Sequence, residues 1–160
     1  MLNTLTRRQE AQEGSMYKHI LLTTDGSELA EKSLQHGIAL AAALSAPITV
    51  LTVIKPLHTV APSEVMVALP PAEYERGAQK HADQLLEHAS AAAKQAGVAC
   101  TTRCTTHDEP SQAIIDTAAD AACDLIVMGS HGRTGLTKLI LGSQTQKVLS
   151  HTSVPVLVTR

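Results

Sequence analysis

Aromatic side chains are almost missing from this sequence: it has no Trp and no Phe, and of that class only Tyr17 and Tyr74. With 44% of its residues apolar, the chain must therefore build an aliphatic core. The same lack disfavours single-stranded nucleic acid as a ligand, because bases need rings to stack on. No charge of one sign dominates either. The net charge is −2, with basic and acidic residues interspersed, so no basic face for a nucleic-acid backbone is expected. Long apolar runs are absent, which excludes a helical membrane span, and the first residues lack the apolar stretch of a signal peptide. Cysteine is scarce and odd in number: Cys100, Cys104 and Cys123 read as reduced thiols, and the cytoplasm is the expected compartment.

What is present is a regular alternation of buried-strand and amphipathic-helix patterns. Residues 1–15 are polar and without period and read as a flexible extension; residues 16–160 read as one domain. His19 to Thr24 is the first expected strand, closed by Asp25-Gly26-Ser27, with Ser27 placed to cap a helix that runs to about Leu44. Pro47 to Ile54 is the second strand. Four prolines between Lys55 and Pro71 mark a loop, with a short turn expected over Val65 to Leu69. A long helix follows from about Ala72 to Ala96, stopped by Gly97. Val98 to Thr106 reads as a half-exposed edge strand that turns Val98, Cys100, Thr102 and Cys104 to one side. Ser111 to about Ala122 is the third helix, Leu125 to Met128 a strand buried on both faces, Gln144 to His151 the last helix, and Val154 to Thr159 the last strand. Five strands alternating with four helices imply an open α/β sheet with helices on both faces.

The stretch from Asp124 to Ser150 carries the chemistry. Its buried strand ends at Gly129 and enters a loop holding Gly132, Gly135 and Gly142 together with His131, Arg133 and Lys138. Ser143 and Gln146 then have the spacing of a capping box at a helix start. Strand, glycine-rich basic loop and helix N-terminus form the order of a phosphate cradle, since glycine lets backbone N–H groups approach an anion and the helix start adds open donors. Neither G-x-x-x-x-G-K-[ST] nor G-x-G-x-x-G can be read here, so a P-loop and the usual dinucleotide fold are both disfavoured. Two metal readings are also weak. Cys100 and Cys104, four apart in a strand, sit about 13 Å from each other. His81 and His88 share a helix face, which reads as solvated for want of an acidic or cysteine partner.

Gly129-x-x-Gly132, nine residues, then Gly142-Ser143 resembles the nucleotide-binding signature of the universal stress protein family, in its ATP-binding branch. The opening strand ending in Asp25-Gly26-Ser27, the block Asp124 to Arg133 and the closing Val154-Pro155-Val156-Leu157-Val158 extend the resemblance over Tyr17 to Arg160. It implies strand order 3-2-1-4-5, with a ligand crevice at the carboxyl ends of the first and fourth strands. By the same resemblance Thr24 and Asp25 lie beside the adenosine, and Val53 offers backbone to the adenine edge. Met128 and Gly129 sit against ribose and base, and Gly132, Gly142, Ser143, Gln144 and Thr145 ring the phosphates, with His131 and Arg133 in the same loop. The implied ligand is ATP, with AMP as an alternative and Mg²⁺ as a companion ion; Gly142→Val is expected to block the phosphates and spare the fold. One departure stands out, Asp108 where the family commonly has glycine. No catalytic residue is assigned, because His131 lacks a visible orienting partner, so hydrolysis is expected to be slow or absent. A nucleotide-binding stress-response or signalling module is preferred over an ATPase and over a nucleotide-free dimeric scaffold. The bare apolar edge of Val154 to Thr159 implies a homodimer through the last strand.

Overall fold

A computed structural model describes residues 16–60, 70–131 and 141–160. The short turn expected over Val65 to Leu69, and Gly132, Arg133, Gly135 and Lys138 of the glycine loop, lie outside the described residues. The elements follow in the order β1 (Ile20–Thr23), α1 (Glu28–Leu44), β2 (Ile48–Ile54), a 3-10 turn (Leu57–Thr59), α2 (Pro71–Gln95), β3 (Cys100–Thr106), α3 (Pro110–Asp120), β4 (Leu125–Gly129), α4 (Ser143–His151) and β5 (Val156–Thr159). The sheet has the expected order β3-β2-β1-β4-β5 and every pairing is parallel.

Alternation along the central strands divides the core in two. Ile20 and Leu22 of β1, Ile48 and Val50 of β2 and Leu125 and Val127 of β4 pack with Leu34, Ile38 and Ala41 of α1 and with Leu86, Ala89 and Ala93 of α2. The residues between them, Leu21, Leu51, Ile126 and Met128, pack with Ile114 and Ala118 of α3 and with Val148 of α4. Small side chains replace the missing rings by letting the layers approach. At Gly37 of α1, an added Cβ would lie 2.3 Å from Leu22 Cδ2.

Two connections secure the ends. Ser27 caps α1, its Oγ accepting from Ala30 N at 3.2 Å. The Asp124 carboxylate accepts from the backbone N–H of Lys18 and of His19, tying the start of the domain to the entrance of β4. Asp108, where glycine was expected, needs no left-handed backbone; its Oδ1 instead meets His58 Nε2 at 3.0 Å and joins the turn after β3 to the turn after β2.

Two expectations are corrected. The helix after the glycine loop begins at Ser143 itself, with Gly142 as its N-cap and no side-chain cap; Gln146 Nε2 donates to Leu141 O at 2.8 Å instead of closing a capping box. The start is fixed one residue early because Gly142 N–H donates to Ser130 O at 2.7 Å, closing the loop's two stems. His88 does have an acidic partner, Glu31 of α1 at 3.1 Å, which the heptad spacing within α2 could not reveal. The half-exposed character expected of β3 is found: Cys100 and Cys104 are partly buried against the α1–α2 core, and Thr102 between them is exposed.

Candidate nucleotide site

The strand order reverses between β2-β1 and β4, so the chain leaves β1 toward α1 on one face and leaves β4 toward α4 on the other. A crevice at the carboxyl ends of β1 and β4 follows from that topology. On its β1 side, Thr24 is buried, its N–H still donating to Leu51 O at 3.0 Å. Asp25 Oδ1 accepts from Ser27 N at 3.0 Å, and Gly26 has a φ of +78°, with Leu85 Cδ2 only 2.9 Å from where a Cβ would be. Positive φ and close approach together demand glycine in that turn.

β2 contributes through its backbone. Alternate residues of a strand in a parallel sheet turn their N–H and C=O toward opposite neighbours. Leu51 O receives Thr24 N–H from the β1 side, and Ile54 O receives His107 N–H from the β3 side. Val53, two residues past Leu51, therefore turns its N–H and C=O toward β1, beyond the point where the β1–β2 ladder ends at Thr23 and Leu51. Thr52, buried beside it, donates through Oγ1 to Thr24 O at 2.8 Å and holds the two strand ends together.

On the β4 side, Met128 is buried and Gly129 closes the strand. Gly129 O accepts from Thr145 Oγ1 at 3.0 Å, and Ser130 N–H donates to Thr159 O at 2.8 Å. His131 Nδ1 lies 3.0 Å from Ser130 Oγ. The first bond of the α4 ladder is Gln146 N–H to Gly142 O, so the N–H groups of Ser143, Gln144 and Thr145 stand ahead of it, at the positive end of the helix dipole. Thr24, Asp25, Val53, Met128, Gly129, His131, Gly142, Ser143, Gln144 and Thr145 are thus all found at the carboxyl ends of β1, β2 and β4 or at the start of α4.

The side chains of several of these residues are engaged within the protein: besides Asp25 and His131, Thr24 Oγ1 accepts from Gly26 N at 3.3 Å. Thr145 is buried and bonded to Gly129, and Gln144 Oε1 accepts from Ser111 N at the start of α3, at 2.9 Å. Gly142 packs so closely that an added Cβ would meet His131 Cα at 3.0 Å, so Gly142→Val would disturb the loop stems rather than spare the fold. Sequence reasoning passed over Ser130, Thr52 and Glu109. Ser130 and Thr52 were visible as polar residues inside or directly after apolar runs. Glu109 binds Lys147 of α4 at 2.7 Å, and that hydrogen bond holds its carboxyl below the usual carboxylate range. Among the described residues no group of three or more His, Cys, Asp or Glu is arranged to hold a metal ion. Burial pushes the Cys123 thiol up to about 11 and raises Cys100 and Cys104 as well.

A model of the universal stress protein family matches residues 16–160. The chain belongs to that family. Universal stress protein YxiE of Bacillus subtilis is 30% identical, over 91% of this chain and all of its own length. Among solved universal stress protein folds, MJ0577 of Methanocaldococcus jannaschii superposes with a TM-score of 0.74 at 30% identity, over 90% of this chain and 96% of its own. A universal stress protein in complex with cAMP superposes at a TM-score of 0.66 and 23% identity, over 90% of this chain and 97% of its own. One from Archaeoglobus fulgidus in complex with dAMP does so at 0.63 and 19%, over 91% and 99%. No described helix is long and apolar enough to cross a membrane.

Proposed function

We propose that this universal stress protein is an adenine-nucleotide-binding module that takes ATP in the β1–β4 crevice and serves cytoplasmic stress response or signalling. The observation that carries the proposal is the pairing of two sets of open backbone groups at one end of the sheet. The N–H and C=O of Val53 extend past the end of the β1 ladder, and the N–H groups of residues 143–145 stand ahead of the α4 ladder. An N–H beside a C=O complements the adenine edge, which offers an acceptor next to an amine; guanine presents the reverse. Helix-start N–H groups suit phosphate oxygens. The cAMP- and dAMP-bound relatives support the same ligand class, and ATP over AMP rests on the donors at α4. Mg²⁺ is expected on the phosphates themselves, not in a cage of protein carboxylates. Hydrolysis is expected to be slow or absent, His131 being turned to Ser130 rather than to a carboxylate.

Ser143 provides the test. It is exposed at the first position of α4, where an added carboxylate favours the helix dipole while repelling phosphate. Calorimetric titration should give a micromolar ATP affinity for the wild type, about −8 kcal/mol. GTP should bind roughly tenfold or more weakly, since a mismatched base edge costs on the order of 1–3 kcal/mol. Ser143→Asp should lose at least about tenfold in ATP affinity, ~1.4 kcal/mol, with no loss of urea stability. A wild type that ignores ATP, or a variant that binds it equally well, would remove the proposal.

The same proposal extends to a homodimer through β5. This strand is the free edge beyond β4, and Leu157 stands 41% exposed on it. An uncovered apolar edge invites pairing with a second copy about a two-fold axis.

A further inference from the structure

The helix that starts the phosphate end of the crevice is only nine residues long. A helix of that length holds its position through tertiary contacts, not through its own ladder. Three contacts fasten its first turns. Thr145 Oγ1 donates to Gly129 O at 3.0 Å, which secures α4 to β4. Lys147 Nζ meets Glu109 Oε2 at 2.7 Å, at the cap of α3. Gln144 Oε1 accepts from the backbone N–H of Ser111 at 2.9 Å, on the first turn of α3.

The Gln144 contact satisfies a demand that α3 cannot meet alone. Pro110 occupies the first position of α3, and the next residue, Ser111, is 4% exposed, so its helix-start N–H is largely cut off from water. The Gln144 side chain supplies the acceptor. The Gln144 side-chain oxygen is thus committed to α3, while its backbone N–H, at the second position of α4, stands ahead of the helix ladder where a phosphate would lie.

We propose that Gln144 is a positioning residue of the nucleotide site: its side chain locks the first turn of α4 to the first turn of α3 and so holds the N–H groups of residues 143–145 in register with the phosphates. This inference rests on the nucleotide reading given above. It predicts a split between ligands that carry phosphates and ligands that do not. Adenosine uses the β1–β2 end of the crevice and is indifferent to a small displacement of α4, whereas ATP depends on it.

Gln144→Met tests this, because it keeps the length, the neutrality and the backbone N–H while deleting the acceptor; it also deletes the side-chain NH2, so the exchange measurement below separates positioning from a direct contact to the ligand. Titration should show ATP weakened roughly five- to tenfold, the size of one lost hydrogen bond, and adenosine unchanged within about twofold. A second measurement uses the wild type alone. Hydrogen exchange at the Ser111 amide should stay slow when ATP is added, because the Gln144 side chain does not leave it. ATP and adenosine falling together, ATP affinity unchanged in the variant, or a Ser111 amide that loses protection on ATP addition would each overturn the positioning role. A wild type that binds neither ligand is a separate result, visible before any variant is made, and it removes the nucleotide reading along with this one.

Discussion

Gly37 shows how a chain without Trp or Phe still closes its core. A Cβ at this position would fall 2.3 Å from Leu22 Cδ2, and Leu22 is 1% exposed and enclosed by β1, α1 and α2. Glycine is a poor helix residue, so alanine would favour α1 locally by about 1 kcal/mol. Overpacking should outweigh that gain. Gly37→Ala is expected to destabilise the protein by about 1–3 kcal/mol, read as a lowered urea midpoint at unchanged slope. A midpoint at or above that of the wild type would mean the layers can part to admit the methyl. Gly142 is the contrasting case: its φ of −60° suits any residue, and it is the nearness of His131 and of Ser130 O that favours glycine there. Spacing in the sequence singled out Gly142 but not Gly37, and only the position of their neighbours distinguishes the two reasons.

One fastening between α3 and α4 is electrostatic. Glu109 and Lys147 are 38 residues apart and both about half exposed, so their bridge contributes modestly, at most about 1 kcal/mol. The Glu109 carboxyl is held below its ordinary value, chiefly by the Lys147 hydrogen bond. A carboxyl with a lowered folded-state value stabilises fully above its unfolded value, and that contribution fades as pH falls through the folded one. Lys147→Met should therefore unfold at lower urea than the wild type at pH 7. The two should converge when the pH is taken below the carboxylate range, to about 3. Equal midpoints at pH 7, or a gap that persists in acid, would show that the bridge adds nothing of this kind. The existence of α3 and α4 was legible from apolar periodicity and from Pro110. Their joint was not, since neither Glu109 nor Gln144 carries any local sign of its partner.

For the whole molecule the open question is the β5 edge. Val154 and Val156 pack against the protein's own α3–α4 core, whereas Leu157, opposite Val127 on the other face, is 41% exposed. A charge at Val156 would damage the monomer and blur the result, so Leu157→Lys is the cleaner probe of the proposed dimer. Sedimentation at tens of micromolar protein, an order-of-magnitude working range, should show a dimer for the wild type and a shift to monomer for the variant, with little change in monomer stability. A monomeric wild type, or a dimer that tolerates the lysine, would place any self-association elsewhere.

The sequence by itself determined the layered α/β architecture. Continuous apolar runs require strands buried on both faces, helix periods require amphipathic partners, and short connections between them leave a parallel sheet as the economical solution. It also located the glycine loop and, through the spacing of Gly129, Gly132 and Gly142-Ser143, the resemblance that proved to be family membership. Tertiary structure alone decided what depends on residues distant in the chain. Val53 gains an open backbone edge because β1 turns away two residues too soon to pair with it. Gln144 turns toward Ser111, and His88 toward Glu31, because packing brought those partners within reach. Periodicity reports which face of an element is buried; it carries no information about which polar group waits on the other side.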